Sequence, residues 1–414
     1  MARLQQLIGP RALVGGCLAA VVALLRVVYS FATIGMSGQL NDFYDYWAAG
    51  VLLNRGENPY DVAALTAVQR AAGVHVETGS GYSYPLFYAH LIRPLALLPP
   101  VTAAAIFSIL SLVALAFAIA ILLRSLPQLG WPLAITGGVV AGLFPPVIGS
   151  LYFGQANLIV LLLLAVAYRA AIPGLMLGIA SAIKLYPVGG FLAALTARPP
   201  RWRVLATGIP LLGGLLLFQL GSGGGSFSER GGYFLGPDTY WSNESINGWL
   251  SRLGIDSTWT HAPLSGLPVE AAMLTLVLLL TLATVVVLLV APGHPWDGAF
   301  ALSLWLGVIC APKNSLWNFT PLLLAVAFVY TRLNGRWWLL GLGVAGWLLI
   351  ELQAQLDGAR ATVYQASPGL AWLSAVGLYG GLILGGVTAY VLLRPGSSNR
   401  PADGHADREL DVGQ

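Results

Sequence analysis

The sequence is poor in charge, in cysteine and above all in lysine. Only 9% of its 414 residues are Asp, Glu, Lys or Arg, against about 25% in a soluble domain. So few charges cannot solvate a whole surface, which excludes an ordinary water-soluble enzyme. The two cysteines, Cys17 and Cys310, both lie in apolar runs, so neither a disulfide framework nor a thiolate metal site is expected. No His/Asp cluster stands at ligand spacing, and neither metal nor cofactor is expected. The net charge of +4 comes from 19 Arg and 2 Lys, most of the Arg lying in short loops. That is no basic footprint for nucleic acid. The Gly-rich stretch at 221–226 follows no strand and leads to no Gly-Lys-Ser/Thr, so it is no phosphate loop. No internal repeat is visible.

What the chain has is hydrophobic length. Hydrophobic residues make up 57% of it and the mean hydropathy is +0.75. A spanning helix needs roughly 20 apolar residues. Runs near that length occupy 12–34, 101–123, 204–220, 271–291, 337–350 and 370–393, with shorter ones at 131–150, 155–168, 172–197, 298–311 and 319–330. The pattern predicts an all-α polytopic integral membrane protein with about ten or eleven transmembrane or re-entrant helices and long outer loops. The first run is longer than a signal-peptide core and no small-x-small site follows it cleanly, so it reads as a retained span. One membrane-embedded domain is expected over 1–394, with a polar, disordered cytoplasmic tail over 395–414.

Arginine and lysine favour cytoplasmic loops. One orientation puts Arg3, Arg11, Arg124, Arg169, Arg198, Arg201, Arg203, Arg332, Arg336, Arg394 and Arg400 on the cytoplasmic side. The opposite side then receives two long loops, roughly 36–100 and 222–268, and a shorter one near 356–369. The long loops carry most of the acids, including Asp42, Asp45, Glu57, Asp61, Glu77, Glu229, Asp238, Glu244 and Asp256. They are also rich in Tyr, Trp and Asn. Rings that stack on sugar faces, with acids and amides for the hydroxyls, suit a sugar site. An interfacial aromatic belt accounts for many of the rings, but not for the acids just after the first span.

Six constellations could carry chemistry. Asn41-Asp42-Phe43-Tyr44-Asp45-Tyr46-Trp47 puts two acids on one helix face directly after the first span. Either Asp42 or Asp45 could be a general base, or could cap a helix. Tyr84-Pro85 leads to Arg93-Pro94, where Arg93 could hold a phosphate or merely snorkel. Gln155 and Asn157, at the outer start of a span, could bind sugar hydroxyls or cap the helix. Lys184-Leu185-Tyr186-Pro187 breaks the 172–197 segment between arginines at both ends. A cation at membrane depth needs a negative partner, either a lipid phosphate or a nearby carboxylate. The stretch from Asn243 through Asn247 to Arg252 reads as a short amphipathic helix, which could also lie on the membrane. Lys313 could neutralise a phosphate or mark the interface.

Five of these stretches occur in one order: DFYDYWAAGVLLNRGENPYD, YSYPLFYAHLIRPLALLP, FGQANLIVLLLL, GLMLGIASAIKLYP and NESINGWLSRL. Together they resemble glycosyltransferase family 87 over roughly residues 10–395, the polyprenol-phosphate-mannose-dependent mannosyltransferase-like proteins of the C-type glycosyltransferase superfamily. The resemblance implies a multi-span, metal-free enzyme that uses a polyprenyl-phosphate sugar on the periplasmic or extracellular face. It implies a catalytic aspartate opening an Asp-x-x-x-Tyr stretch, here Asp42 with Tyr46. It also carries the family's Gly-Gln and Lys-x-x-Pro motifs onto Gly154-Gln155 and Lys184–Pro187. One departure stands out: many relatives have a late-loop Trp-x-His or Tyr-Asp element, where this chain has Trp317-Asn318-Phe319 and no histidine, so Lys313 or Asn318 would have to substitute.

The resulting expectation is a glycosyltransferase of the bacterial plasma membrane with its active site on the outer side. It would move a hexosyl group, mannosyl by resemblance, from a polyprenyl-phosphate donor to a lipid or glycan acceptor with inversion. Asp42 would be the base and Asp45 the second candidate. Tyr46, Tyr84, Arg93, Gln155, Asn157, Lys184, Asn243, Asn247, Arg252 and Lys313 would contact substrate or donor. The alternative is a transporter or flippase of lipid-linked sugars, which predicts related halves and several midplane charges; neither is evident in the sequence. Reporter fusions check the orientation. Fusions within 36–100 should report an external location and fusions within 198–203 a cytosolic one; the reverse pattern overturns it.

Overall fold

The structure is a computed structural model that describes residues 9–34, 39–74, 81–126, 128–169, 172–221, 236–293, 295–333, 335–358 and 368–394. The tail expected over 395–414, the glycine-rich stretch beyond 221, and Glu77 and Glu229 lie outside the described residues. No strand occurs among the described residues. The helices are α1 (Pro10–Ile34), α2 (Asn41–Asn54), α3 (Val62–Ala71), α4 (Leu86–Ile92), α5 (Pro100–Arg124), α6 (Trp131–Gly142), α7 (Pro145–Tyr152), α8 (Asn157–Tyr168) and α9 (Pro173–Ile183). They continue with α10 (Gly190–Thr196), α11 (Trp202–Gly221), α12 (Ile246–Gly254), α13 (Val269–Val290), α14 (Trp296–Cys310), α15 (Leu322–Tyr330), α16 (Trp337–Gly358) and α17 (Val376–Leu393). Short 3-10 turns precede α10, α15 and α17.

This is an all-α polytopic membrane protein. Six helices are long and apolar enough to cross a bilayer. The run at 131–150 is two helices, α6 and α7, bent by 53° and forming a seventh candidate span. The run at 172–197 is broken too: α9 ends at Ile183, Lys184 is extended, and a 3-10 turn over Tyr186–Gly189 leads into α10. Pro187 lies in that turn and cannot donate to a continuing helix.

Between the longest helices the packing is driven by shape, because lipid offers no hydrophobic gain for helix association. Small residues set the approach of α1 to its neighbours. A Cβ on Gly16 would stand 2.1 Å from the Ala116 carbonyl of α5, and one on Gly138 of α6 would stand 2.3 Å from the Gly15 carbonyl. By contrast, α13 keeps most of its surface uncovered, with leucines such as Leu274 and Leu278 more than 60% exposed, as a lipid-facing helix should.

Three of the arginines assigned to the cytoplasmic side gather at one end of the bundle. Arg198 bonds the Leu289 carbonyl at 2.5 Å, and Arg201 stacks on Trp296 at 4.4 Å. Trp296 in turn bonds the Ala167 carbonyl at 3.2 Å, and Arg332 pairs with Asp297 at 2.9 Å. From that end, α8 runs only 12 residues, about 18 Å at 1.5 Å per residue. That is well short of a hydrocarbon core of roughly 30 Å. At the other end of α8 the turn from α7 receives the backbone of α2, and α3 and α4 pack on α2.

Candidate active site

The candidate site is built where α2 meets α7. The last carbonyls of α7 and the first amides of α2, which a helix leaves without internal partners, satisfy each other: Leu40 N–H donates to Tyr152 O at 2.9 Å and Asp42 N–H to Phe153 O at 3.1 Å. The chain between α7 and α8 turns at Gly154, whose φ is +68° and whose Cβ position lies 2.6 Å from Phe43 Cβ. Any side chain there would both strain the backbone and push α2 away.

Backbone docking leaves the Asp42 side chain free. The residue before α2 is Leu40 and no side chain caps this helix, whereas Asp61 does cap α3 through Ala63 and Ala64. The capping reading of Asp42 is thereby set aside. Neither Gln155 nor Asn157 caps α8, whose start has no side-chain cap. Their amides instead form a buried floor: Asn157 is 0% exposed and Gln155 8%. Gln155 Nε2 donates to Asp42 Oδ2. Gln155 Oε1 accepts from Lys184 Nζ at 3.1 Å and from Asn157 Nδ2 at 2.6 Å. Lys184 Nζ also donates to Asn318 Oδ1 at 2.7 Å and lies 5.2 Å from the centre of the Tyr84 ring. Asn157 Nδ2 reaches the Trp317 carbonyl at 2.9 Å and Ser150 Oγ at 3.2 Å. Above this floor Asp42, Tyr84, Lys184 and Asn318 remain only half-buried.

Tyr46, 0.47 nm from Tyr84 between ring centres, continues the wall with Tyr88 and Tyr82 at 5.2 and 6.5 Å. On α2, which spans nothing, burial pushes the Asp42 carboxyl above its ordinary range, while Lys184 and the Gln155 bond work against that rise. Such a carboxylate is a stronger base than a solvated one. Lys184 forms no ion pair among the described residues. Its hydrogen-bonding oxygen partners are neutral amides, and the Asp42 carboxylate acts on it through space without a salt bridge.

The other candidates lie apart from this cluster. Asp45 turns to α3 and accepts from Gln69 at 2.8 Å. Arg93 binds Asn54 Oδ1 at 2.9 Å, a dozen residues along α2 from Asp42, about 18 Å. Arg252 is fully enclosed: it donates to Ser374 Oγ at 2.8 Å, Ser374 O at 2.7 Å, Tyr240 O at 2.8 Å and Asn243 O at 2.9 Å, and stands 3.6 Å from Glu244. The stretch read as a membrane-surface helix is α12, starting at Ile246 and buried. Asn243 and Asn247 brace the same region, accepting from Asn314 N at 3.1 Å and Asp238 N at 3.1 Å. Lys313 pairs with Asp238 at 3.3 Å. Sequence reading missed Ser150 and the Trp317 carbonyl; a serine in an apolar helix and a backbone group give no signal. Asn318 had one, standing in the Trp317-Asn318-Phe319 stretch already singled out.

A profile of glycosyltransferase family 87 matches residues 82–312, more than half of the chain. The chain belongs to that family. It is a membrane glycosyltransferase. Comparison with curated proteins and with solved structures gave no match. The family 87 match is narrower than the resemblance drawn from the motifs. It takes in Tyr84, Gln155, Asn157 and Lys184 but begins after Asp42, so the case for Asp42 is geometric.

The enclosure of Arg252 has a measurable consequence. Arg252→Leu strands Glu244 and three carbonyls in a dry interior, which costs about 3–5 kcal/mol. Thermal unfolding of the purified variant in detergent should show a large loss of stability; an unchanged unfolding temperature would contradict a bracing role.

Proposed function

We propose that this family 87 glycosyltransferase moves a hexosyl group, mannosyl by family resemblance, from a polyprenyl-phosphate sugar to a lipid or glycan acceptor. The reaction runs on the outer side of the bacterial plasma membrane, within one membrane-embedded domain. The observation that carries this reading is the ammonium of Lys184, half-buried, held by two neutral amide oxygens and joined through one of them to a carboxylate. A cation in poorly solvated surroundings favours an anionic ligand, and the phosphate of a lipid-linked sugar is one that reaches a site in a membrane protein.

In this arrangement the donor phosphate lies at Lys184 and Asn318, with Tyr84 and Tyr46 along the sugar. Tyr88, whose buried hydroxyl has no hydrogen-bond partner, is a further candidate for that wall. Asp42 removes the proton from the acceptor hydroxyl. The freed oxygen pair bonds to the anomeric carbon while the bond to the phosphate oxygen breaks, and its electrons leave on the polyprenyl phosphate, whose charge Lys184 balances. A single displacement inverts the centre, so a β-linked donor yields an α-linked product. Asp45, Arg93, Arg252 and Lys313 have no step in it, because each is engaged elsewhere.

The test is transfer by purified protein from radiolabelled polyprenyl-phosphate mannose to a lipid acceptor. Asp42→Asn should lower the rate by about 10²–10⁴ with unchanged thermal unfolding. Near-wild-type transfer by the folded variant would overturn the base assignment. Movement of donor across vesicles with no new glycosidic bond would favour a transporter instead.

A further inference from the structure

Asp42 and Lys184 lie in one cluster yet form no ion pair with each other. In poorly solvated surroundings opposite charges attract strongly, so something must hold them apart. Both bond the same amide: Gln155 Nε2 donates to Asp42 and Gln155 Oε1 accepts from Lys184. We propose that Gln155 is a positioning residue, an amide spacer that keeps the base and the phosphate-binding cation from neutralising one another. The proposal rests on the functional reading above.

Four observations support it. The amide has one workable orientation, because reversing it would set its N–H₂ against an ammonium and its oxygen against a carboxylate. Asn157 locks that orientation by donating to the same oxygen at 2.6 Å, and is itself anchored on Trp317 O and Ser150 Oγ. The Gln155 backbone is held as well, its N–H donating to Ser150 O at 2.8 Å beyond the Gly154 turn. Asn318 draws Lys184 from a different element at 2.7 Å. A direct pair would lower the basicity of Asp42 and fill the cation with an internal anion; the spacer prevents both. The groups that face Asp42 are Tyr46 of α2, Tyr84 before α4, Tyr88 of α4, and Lys184 at the α9–α10 break. The three phenols stay neutral, burial pushing each well up, so Lys184 is the cation that the spacer must manage.

Two variants separate a spacer from a structural strut. Gln155→Met removes both bonds at nearly constant volume and lets Asp42 close on Lys184. The acid limb of the pH profile of kcat/KM should then move down by about one unit, with kcat at least about tenfold lower and a higher donor KM. Gln155→Glu ties up Lys184 and puts a second negative charge beside Asp42, so the limb should move up by a similar amount. Opposite shifts support the spacer. Folded variants whose limb does not move, or moves the same way in both, overturn it; if one variant fails to fold, the sign in the other decides. Asp42→Asn is assayed alongside. Full activity there defeats the functional reading and the spacer together. An inactive Asp42→Asn with unshifted Gln155 variants defeats the spacer alone.

Discussion

The constraint that organises this protein is a lysine ammonium placed at a break in a membrane-embedded helix with neutral amides as its oxygen partners. A charge withdrawn from water must be compensated or it costs several kcal/mol. Here Gln155 and Asn318 supply hydrogen bonds without supplying charge, and the Tyr84 ring adds a weaker attraction. The ammonium is thus tethered and still unneutralised. The same amide that tethers it also holds Asp42, so the proposed base and the proposed anion site are parts of one hydrogen-bonded unit.

A second buried cation shows the contrast. Arg252 uses its fork on two carbonyls of its own segment and on both the hydroxyl and carbonyl of Ser374, with Glu244 beside it. Nothing is left for a ligand. It joins the segment around α12 to the turn before α17. Lys184 and Arg252 look alike as isolated charges in apolar sequence. They differ in how many of their donors the protein itself consumes and in whether the partners are charged.

Much of this could be read in the residues. Apolar runs located most long helices to within a few residues, though α16 runs eight residues past the end of its run at 337–350, and a Lys-x-x-Pro in an apolar segment correctly marked a helix break. Taking α6 with α7, and α9 with α10, as single broken segments, the apolar runs correspond to the eleven in the structure among the described residues, seven long or bent candidates plus four shorter ones. What sequence could not settle was which charges meet. Asp42 and Asp45 are three apart and equally suited to a helix face, and only the docking of α2 on α7 turns one to Gln155 and the other to Gln69. Arg93, Arg252 and Lys313 looked like donor contacts because loops near a membrane rarely show, in linear order, the distant groups that absorb their charge: Ser374, for example, is 122 residues from Arg252. The Gly154-Gln155 motif was visible, but not why it needs glycine, which is the positive φ and the approach of Phe43 together.

The central claim is that Lys184 is an anion site for a lipid phosphate. The most direct measurement is binding of polyprenyl phosphate, compared with the uncharged polyprenol, to the purified protein and to Lys184→Met in nanodiscs. The account predicts that the intact protein prefers the phosphate and that the folded variant loses the preference. Equal binding of phosphate and alcohol by the intact protein, or an undiminished preference in the variant, would contradict it.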